Sequence, residues 1–448
     1  MNLLTSLLAV VSIIQIGLIV EFYLDRKGNS SLIIPSAFGL GLGTLTISIL
    51  LLNLIGFYLT RFTVILTVII LFSPYIFNQD LKIFVFNNLK KYYQKVKETP
   101  IFVTILFILF VVFLSMFTFS KSVWGYDAYE RWLAKGRTFW VDGGINKQNV
   151  AIYDPSDDHN LWPLTITWFY YLVGDSNELW IRIIPLFLLF MLSFEFWGNL
   201  NSTNFKRTEI LWFLILIFTP FLWQTVSLEN YSANADLPVS FFIILAISKL
   251  LKKQFIYGAL FLGFAAFTKN DTLPVLIGFI ICLPIIFRKE IFNSIDLKIA
   301  LIAAICLLAF NITWKIHYAL NSRYFQQDFS QLLSQKPFLK YNKYSLNAFR
   351  EQLRQTQVWG LGWWIILFFL IKNIKEIIFS KSMFLIIALI TLQFLGYFII
   401  YYITKEDQAT QISTSISRVL LQVYPALLLV AYHVSKIQNN RKILISNV

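Results

Sequence analysis

Only two cysteines, Cys282 and Cys306, occur in 448 residues, and both lie inside apolar runs, so neither a disulfide framework nor a thiolate metal site is expected. Charge is scarce: Asp, Glu, Lys and Arg together make up 14% of the chain, well below the share that an ordinary soluble domain carries. With three histidines and no HExxH spacing, a helix-borne zinc site is not expected. Neither GxxxxGK[ST] nor GxGxxG is present, and no loop is long enough for a nucleotide-binding βαβ domain. Direct use of ATP is therefore not expected. The period-two alternation of an outer-membrane barrel is missing as well.

What the chain has instead is apolar length. Hydrophobic residues account for 57% and aromatics for 17%, with a mean hydropathy of +0.65. Runs long enough to cross a bilayer as helices recur along it. The predicted spans are 2–24, 33–59, 62–78, 100–119, 178–199, 208–227, 235–251, 254–268, 272–287, 296–317, 357–372, 382–403 and 415–435. The first, "MNLLTSLLAVVSIIQIGLIV", lacks a basic leader and a small-residue cleavage site, and reads as a retained span rather than a signal peptide. The expected fold is an all-α polytopic membrane protein with about thirteen transmembrane helices.

The net charge of +14 sits mostly in short loops beside spans, which points to topology and anionic lipid rather than to nucleic acid. Basic clusters fall at 25–28, 82–97, 205–207, 249–254, 287–290, 372–376 and 436–442. All seven become cytoplasmic if the N-terminus is outside and the short apolar piece "LWPLTITWFYYLVG" at 161–174 does not cross. That piece is then re-entrant or lies along the interface. The outer face receives 120–177, 227–238, 268–274, 318–356 and 402–415, which hold most of the acids. Four regions follow: N-terminal spans 1–99, a catalytic module 100–317 containing the outer loop 120–177, a loop 318–356 with an amphipathic helix N-capped by Ser345, and C-terminal spans 357–448.

The stretch "VWGYDAYERWLAKGRTFW" at 123–140 crowds Asp127, Glu130, Arg131, Lys135 and Arg137 at a span exit. As an α-helix it places Trp124, Ala128, Trp132 and Phe139 on one face, facing the headgroup boundary, and Asp127, Arg131 and Lys135 on another at four-residue steps. Helix geometry alone equally allows a solvated face with Asp127 paired to Arg131.

Further on come "DPSDDHNLWPLTITWFYYLVGDSNELWIR", "ENYSANADLP", "FTKNDTLPVL" and "SISRVLLQVYPALLL". Together these segments resemble the GT-C superfamily of integral-membrane glycosyltransferases, of the protein O-mannosyltransferase and aminoarabinose transferase type, over residues 100–290 and the last span. In that superfamily an acid soon after a span opens a juxtamembrane helix, a His/Pro element follows (here His159 with "LWPL", a departure from a plain His-Pro-Pro), then a Gly-[Asp/Ser]-x5-Arg stretch, approximated here by Gly174, Asp175 and Arg182 with six residues between the last two. The resemblance implies a GT-C-like fold with outer juxtamembrane helices. It also implies transfer of a sugar from a polyprenyl-phosphate-linked donor to a glycan, lipid or protein acceptor on the extracytoplasmic face of the membrane, and the Ile-, Lys- and Phe-rich composition points to a bacterial inner membrane. Asp127 would be the general base and Asp236 the second acid, with Glu229 a weaker rival. Lys269, Arg418 and Arg182 would meet the donor phosphate, and His159, Tyr126 and Arg131 would touch substrate. Asp236 also suits a helix start, and Lys269 and Arg418 also suit snorkelling. His159 beside Asp157 and Asp158 offers too few ligands to assign a metal, although some superfamily members use one. The alternative reading is a transporter or lipid flippase, against which stand the lack of an internal repeat and the gathering of acids at the outer rim.

Overall fold

A computed structural model describes residues 2–24, 33–120, 122, 123, 125, 127–145, 159–200, 207–228, 231–321, 338–403 and 408–446. These are 87% helical, with no strand among the described residues. Seven helices are long and apolar enough to cross a membrane: Leu3–Leu24, Ile34–Leu54, Ile101–Ser120, Glu178–Asn199, Ile295–Ile316, Lys381–Tyr402 and Ala409–Lys436. Two bent pairs, Arg61–Phe77 with Gln79–Lys91 and Thr208–Ile217 with Pro220–Ser227, raise the number to nine if each is one span. The chain is a helical protein built for a membrane. Four other predicted spans form shorter helices: Asp236–Leu251 (16 residues), Phe255–Thr268 (14), Leu273–Ile286 (14) and Gly362–Lys372 (11). At about 1.5 Å per residue these reach roughly 17–24 Å, short of a hydrocarbon core of about 30 Å.

The chain condenses into two units, each discontinuous in sequence. The first draws on Met1–Asp154, Asn160–Phe213 and Trp223–Phe241, and the second on Pro155–His159, Leu214–Leu222 and Phe242–Val448. In the first unit, α1 (Asn2–Leu24) and α2 (Ile33–Leu54) approach backbone to backbone through Gly17 and Gly41. Then come α3 (Arg61–Phe77), α4 (Gln79–Glu98) and α5 (Ile101–Ser120). Much of α5 faces outward, with Ile101, Phe102, Leu109 and Met116 exposed, as expected of a lipid-contacting helix. The basic stretch 82–97, expected as a loop, is part of α4, because Leu81, Phe84 and Val85 return at helical spacing and pack on Leu18, Ile19 and Phe22 of α1.

After α5 come a π-helix at Asp127–Leu133, α6 (Ala134–Val141) and α7 (Leu161–Val173). At 13 residues α7 is too short to cross, in keeping with the non-crossing reading. Its position is a correction to the interfacial alternative: Leu161 through Tyr171 are all buried in protein. Gly174 ends the helix in the left-handed conformation, φ +79°, where a side chain would be strained. A short helix, α8 (Glu178–Ile181), leads into α9 (Ile183–Asn199).

The second unit is centred on α10 (Phe255–Thr268), α11 (Leu273–Ile286), α12 (Ile295–Asn321), α13 (Phe338–Arg354), α14 (Lys381–Ile403) and α15 (Gln408–Ser446). Helix α13 confirms an amphipathic helix in the loop 318–356 but corrects its start. It is already helical from Phe338, so Ser345 lies within it and is fully buried rather than capping it. Phe349 of α13 packs against Phe398 and Tyr401 of α14 at 5.0 and 6.2 Å between ring centres.

Candidate functional site

The charged stretch at the exit of α5 begins its ordered turn at Asp127, seven residues beyond the last residue of the span. It is a π-helix, not the α-helix expected, so the four-residue steps joining Asp127, Arg131 and Lys135 do not apply within it. Such wide turns are rare and concentrate at functional sites. Asp127 and Arg131 are half-buried, and Lys135 is buried. The aromatic face is also corrected: Trp132 and Phe139 are 2% and 1% exposed, turned into protein rather than toward headgroups.

Several contacts hold this segment on α7 and α8. Thr167 donates to the Gly136 carbonyl at 3.0 Å, and the Tyr171 hydroxyl donates to the Trp140 carbonyl at 3.2 Å and to that of Leu59. Arg137 pairs with Glu178 and lies over the Tyr129 ring at 5.7 Å. Partial burial works against the Arg137 charge, but Tyr129 and Glu178 outweigh it and hold the guanidinium further into its protonated range. Arg131 lies 5.5 Å from the centre of the Trp132 ring. The result is a shelf carrying a half-buried carboxylate beyond the end of α5.

Two further predicted residues belong to the same unit. Arg182, 1% exposed, donates to the Val226 carbonyl at 3.4 Å, and Thr118 of α5 donates to the same oxygen at 3.2 Å. Arg182, the residue before α9, thus reaches the helix Pro220–Ser227 that carries Val226. Arg182→Gln is expected to cost about 1.5–3 kcal/mol, the usual worth of a hydrogen bond from a charged group, read as a lower unfolding temperature in detergent. Asp236, 3% exposed, is the first residue of its helix, where a carboxylate is favoured by the helix dipole. The turn before it is tight: Ala233 has φ +76° and its carbonyl accepts from Trp162 Nε1 at 2.6 Å.

In the second unit the segments that carry the two predicted cations meet, at Asp271 and Gln422. Lys269 follows the last residue of α10 and pairs with Asp271 at 2.9 Å. Tyr401, near the end of α14, lies within electrostatic range of Lys269, Asp271 and Arg418, and hydrogen-bonds Ser415 at 2.9 Å. Gln393 donates to the Asp271 carbonyl at 2.8 Å, Gln422 reaches the Asp271 carboxylate at 3.4 Å, and Tyr397 donates to Gln422 at 2.8 Å. Gln352 of α13 donates to Ser417, the neighbour of Arg418, at 2.7 Å. Residues 271, 352, 393, 397, 401 and 422 were not assigned from sequence. The signal for Asp271 was present, an acid two residues after Lys269 in "TKNDT", whereas the others are joined to it only by long-range packing.

Compared with known proteins, the chain matches no family model, no curated protein and no solved structure. The reading of the site rests on its own chemistry. His159, fully buried, has its ring 6.1 Å from that of Phe267. Tyr126, Glu229, Asp157 and Asp158 lie outside the described residues. Among the described residues no group of three or more His, Cys, Asp or Glu side chains gathers as a metal site would.

Proposed function

We propose that the chain is an integral-membrane glycosyltransferase of GT-C type, which moves a sugar from a polyprenyl-phosphate-linked donor to an acceptor hydroxyl on the extracytoplasmic face of a bacterial inner membrane. The observation that carries this reading is the polar cluster near the ends of apolar helices in the second unit, where Lys269 pairs with Asp271 and Gln422, four residues after Arg418, reaches the same carboxylate. Partly buried cations at a membrane boundary are costly, and an anion held there offsets the cost. An anion anchored at that level in a bilayer is a lipid phosphate. Asp127 takes the proton of the acceptor hydroxyl, and the acceptor oxygen forms a bond to the anomeric carbon. The bond from that carbon to the phosphate oxygen breaks, and its electron pair leaves with the polyprenyl phosphate. By the resemblance, Lys269 and Arg418 would meet the phosphate of the donor, with Lys269 held by its pair with Asp271. In this reading the stretch 120–177 lies outside.

The test is purified protein incubated with a panel of polyprenyl-phosphate sugars carrying a labelled sugar, with release of polyprenyl phosphate followed. Arg418→Gln is expected to lower kcat/KM by about 10–100-fold, the loss of charge-assisted hydrogen bonds to phosphate, while Lys436→Gln changes nothing. Liposomes that flip a labelled lipid without transferring sugar would replace this reading by that of a transporter.

A further inference from the structure

Helix α4 leaves α3 at an angle of 93°, and the corner is built rather than loose. Asn78 closes α3 by donating its N–H to the Pro74 carbonyl, and its side-chain oxygen accepts from the Leu81 N–H at 3.1 Å, which opens α4. If α3 crosses the bilayer, with Ile69, Ile70 and Ile76 exposed along it, then α4 runs in the membrane plane. One face of α4 is spent inside the protein: Leu81 is fully buried, Phe84 and Val85 nearly so, and the Phe84 ring meets Phe22 edge-on at 5.4 Å. The opposite face is unusual for a helix on a protein surface. Ile83, Phe86, Leu89 and Tyr93 are 57%, 67%, 47% and 69% exposed, and Lys90 and Lys97 are exposed among them at helical spacing. Asp80 is the sole acid between 79 and 97.

We infer that α4 is a docking surface for an anionic lipid bilayer, its apolar and aromatic side chains in the headgroup boundary and its lysines on lipid phosphates. A water-facing helix has no use for four large exposed apolar residues in this short stretch, and a lipid-tail-facing helix would exclude the lysines. Apolar and basic residues interleaved on one face suit only the layer where both tails and phosphates are within reach. The charge names the lipid: each lysine near an anionic surface multiplies association roughly fivefold, whereas a zwitterionic surface gives no such factor.

The experiment uses the full chain with Cys282→Ser and Cys306→Ser, reconstituted in nanodiscs of phosphatidylcholine alone or mixed with phosphatidylglycerol. Spin labels at Phe86→Cys and Tyr93→Cys are expected to be reached by dissolved oxygen and shielded from a water-soluble nickel chelate. In detergent, the protein is expected to retain phosphatidylglycerol over phosphatidylcholine. Lys82, Lys90, Lys91 and Lys97 changed together to Gln should lower that enrichment by about tenfold or more, and the same four changed to Arg should keep it. Free access of the nickel chelate to both labels would overturn the inference. So would equal retention of the two lipids by the unchanged chain, or an enrichment that survives the Gln substitutions. Shielding from both reagents together with dipolar coupling between copies would assign the face to a second chain instead.

Discussion

Asp127→Asn is expected to reduce sugar transfer by about 10²–10⁴-fold, the share that a positioned general base contributes. Asn has the same shape and keeps a polar side chain on the half-buried first residue of the π-helix, so the shelf itself should survive. Thr167, Tyr171 and the Arg137–Glu178 pair hold that shelf from the far side and do not involve the substituted group. The check is turnover at saturating donor beside a thermal unfolding curve. The variant should unfold where the parent does and be inactive. Glu130→Gln, three residues on and exposed, should lose little, because its carboxylate is on the solvent side of the same turn. Full activity in Asp127→Asn would remove the proposed mechanism, and a labelled residue 127 facing the cytoplasm would remove it equally.

Gly41→Leu is expected to be the most damaging single change for folding. A Cβ at Gly41 would lie 1.8 Å from the Ile13 carbonyl oxygen, and one at Gly17 would lie 1.6 Å from that of Ala37. Both obstacles are backbone, so no rotamer change relieves the overlap and the two helices must part. Separation would also weaken the cluster of Leu18, Ile19, Phe22 and Ala37 with Leu81, Phe84 and Val85, which seats α4. The cost is expected at about 3 kcal/mol, the upper end for overpacking, and even Gly41→Ala should be harmful because Cβ is the offending atom. Size-exclusion profiles of tagged protein in detergent would show it as loss of the monodisperse peak. A Gly41→Leu variant with a normal profile and unfolding temperature would mean that α1 and α2 are not in backbone contact.

Several of these features were legible beforehand, and the misreadings share a cause. The non-crossing reading of 161–174 came from its shortness together with the placing of the basic loops, and its 13-residue helix is in keeping with it. That it is buried in protein, not laid on an interface, depends on neighbours such as α6 that arrive from elsewhere in the chain. Around 123–140 the residues grouped as apolar, Ala128, Trp132 and Phe139, are all buried, but a sequence pattern does not say what covers them. Ser345 has the chemistry of a cap, yet a cap's worth of about 1 kcal/mol does not stop a helix whose Phe349 and Gln352 are already engaged by α14 and α15. The lysines of 82–97 masked an apolar stripe that was present in the same letters.

Length and polarity of the apolar runs were enough to predict a helical protein with helices able to cross a membrane, because crossing hydrocarbon demands local backbone hydrogen bonding whatever the neighbours are. The types of residue able to meet a phosphate or take a proton could also be named from the chain alone. Which of them come together was decided by tertiary packing. Gln422 reaches Asp271, and Arg182 reaches the Val226 carbonyl, only because helices distant in sequence are pressed side by side. Contacts of that kind depend on the shapes of two surfaces at once, and a one-dimensional pattern records only one of them.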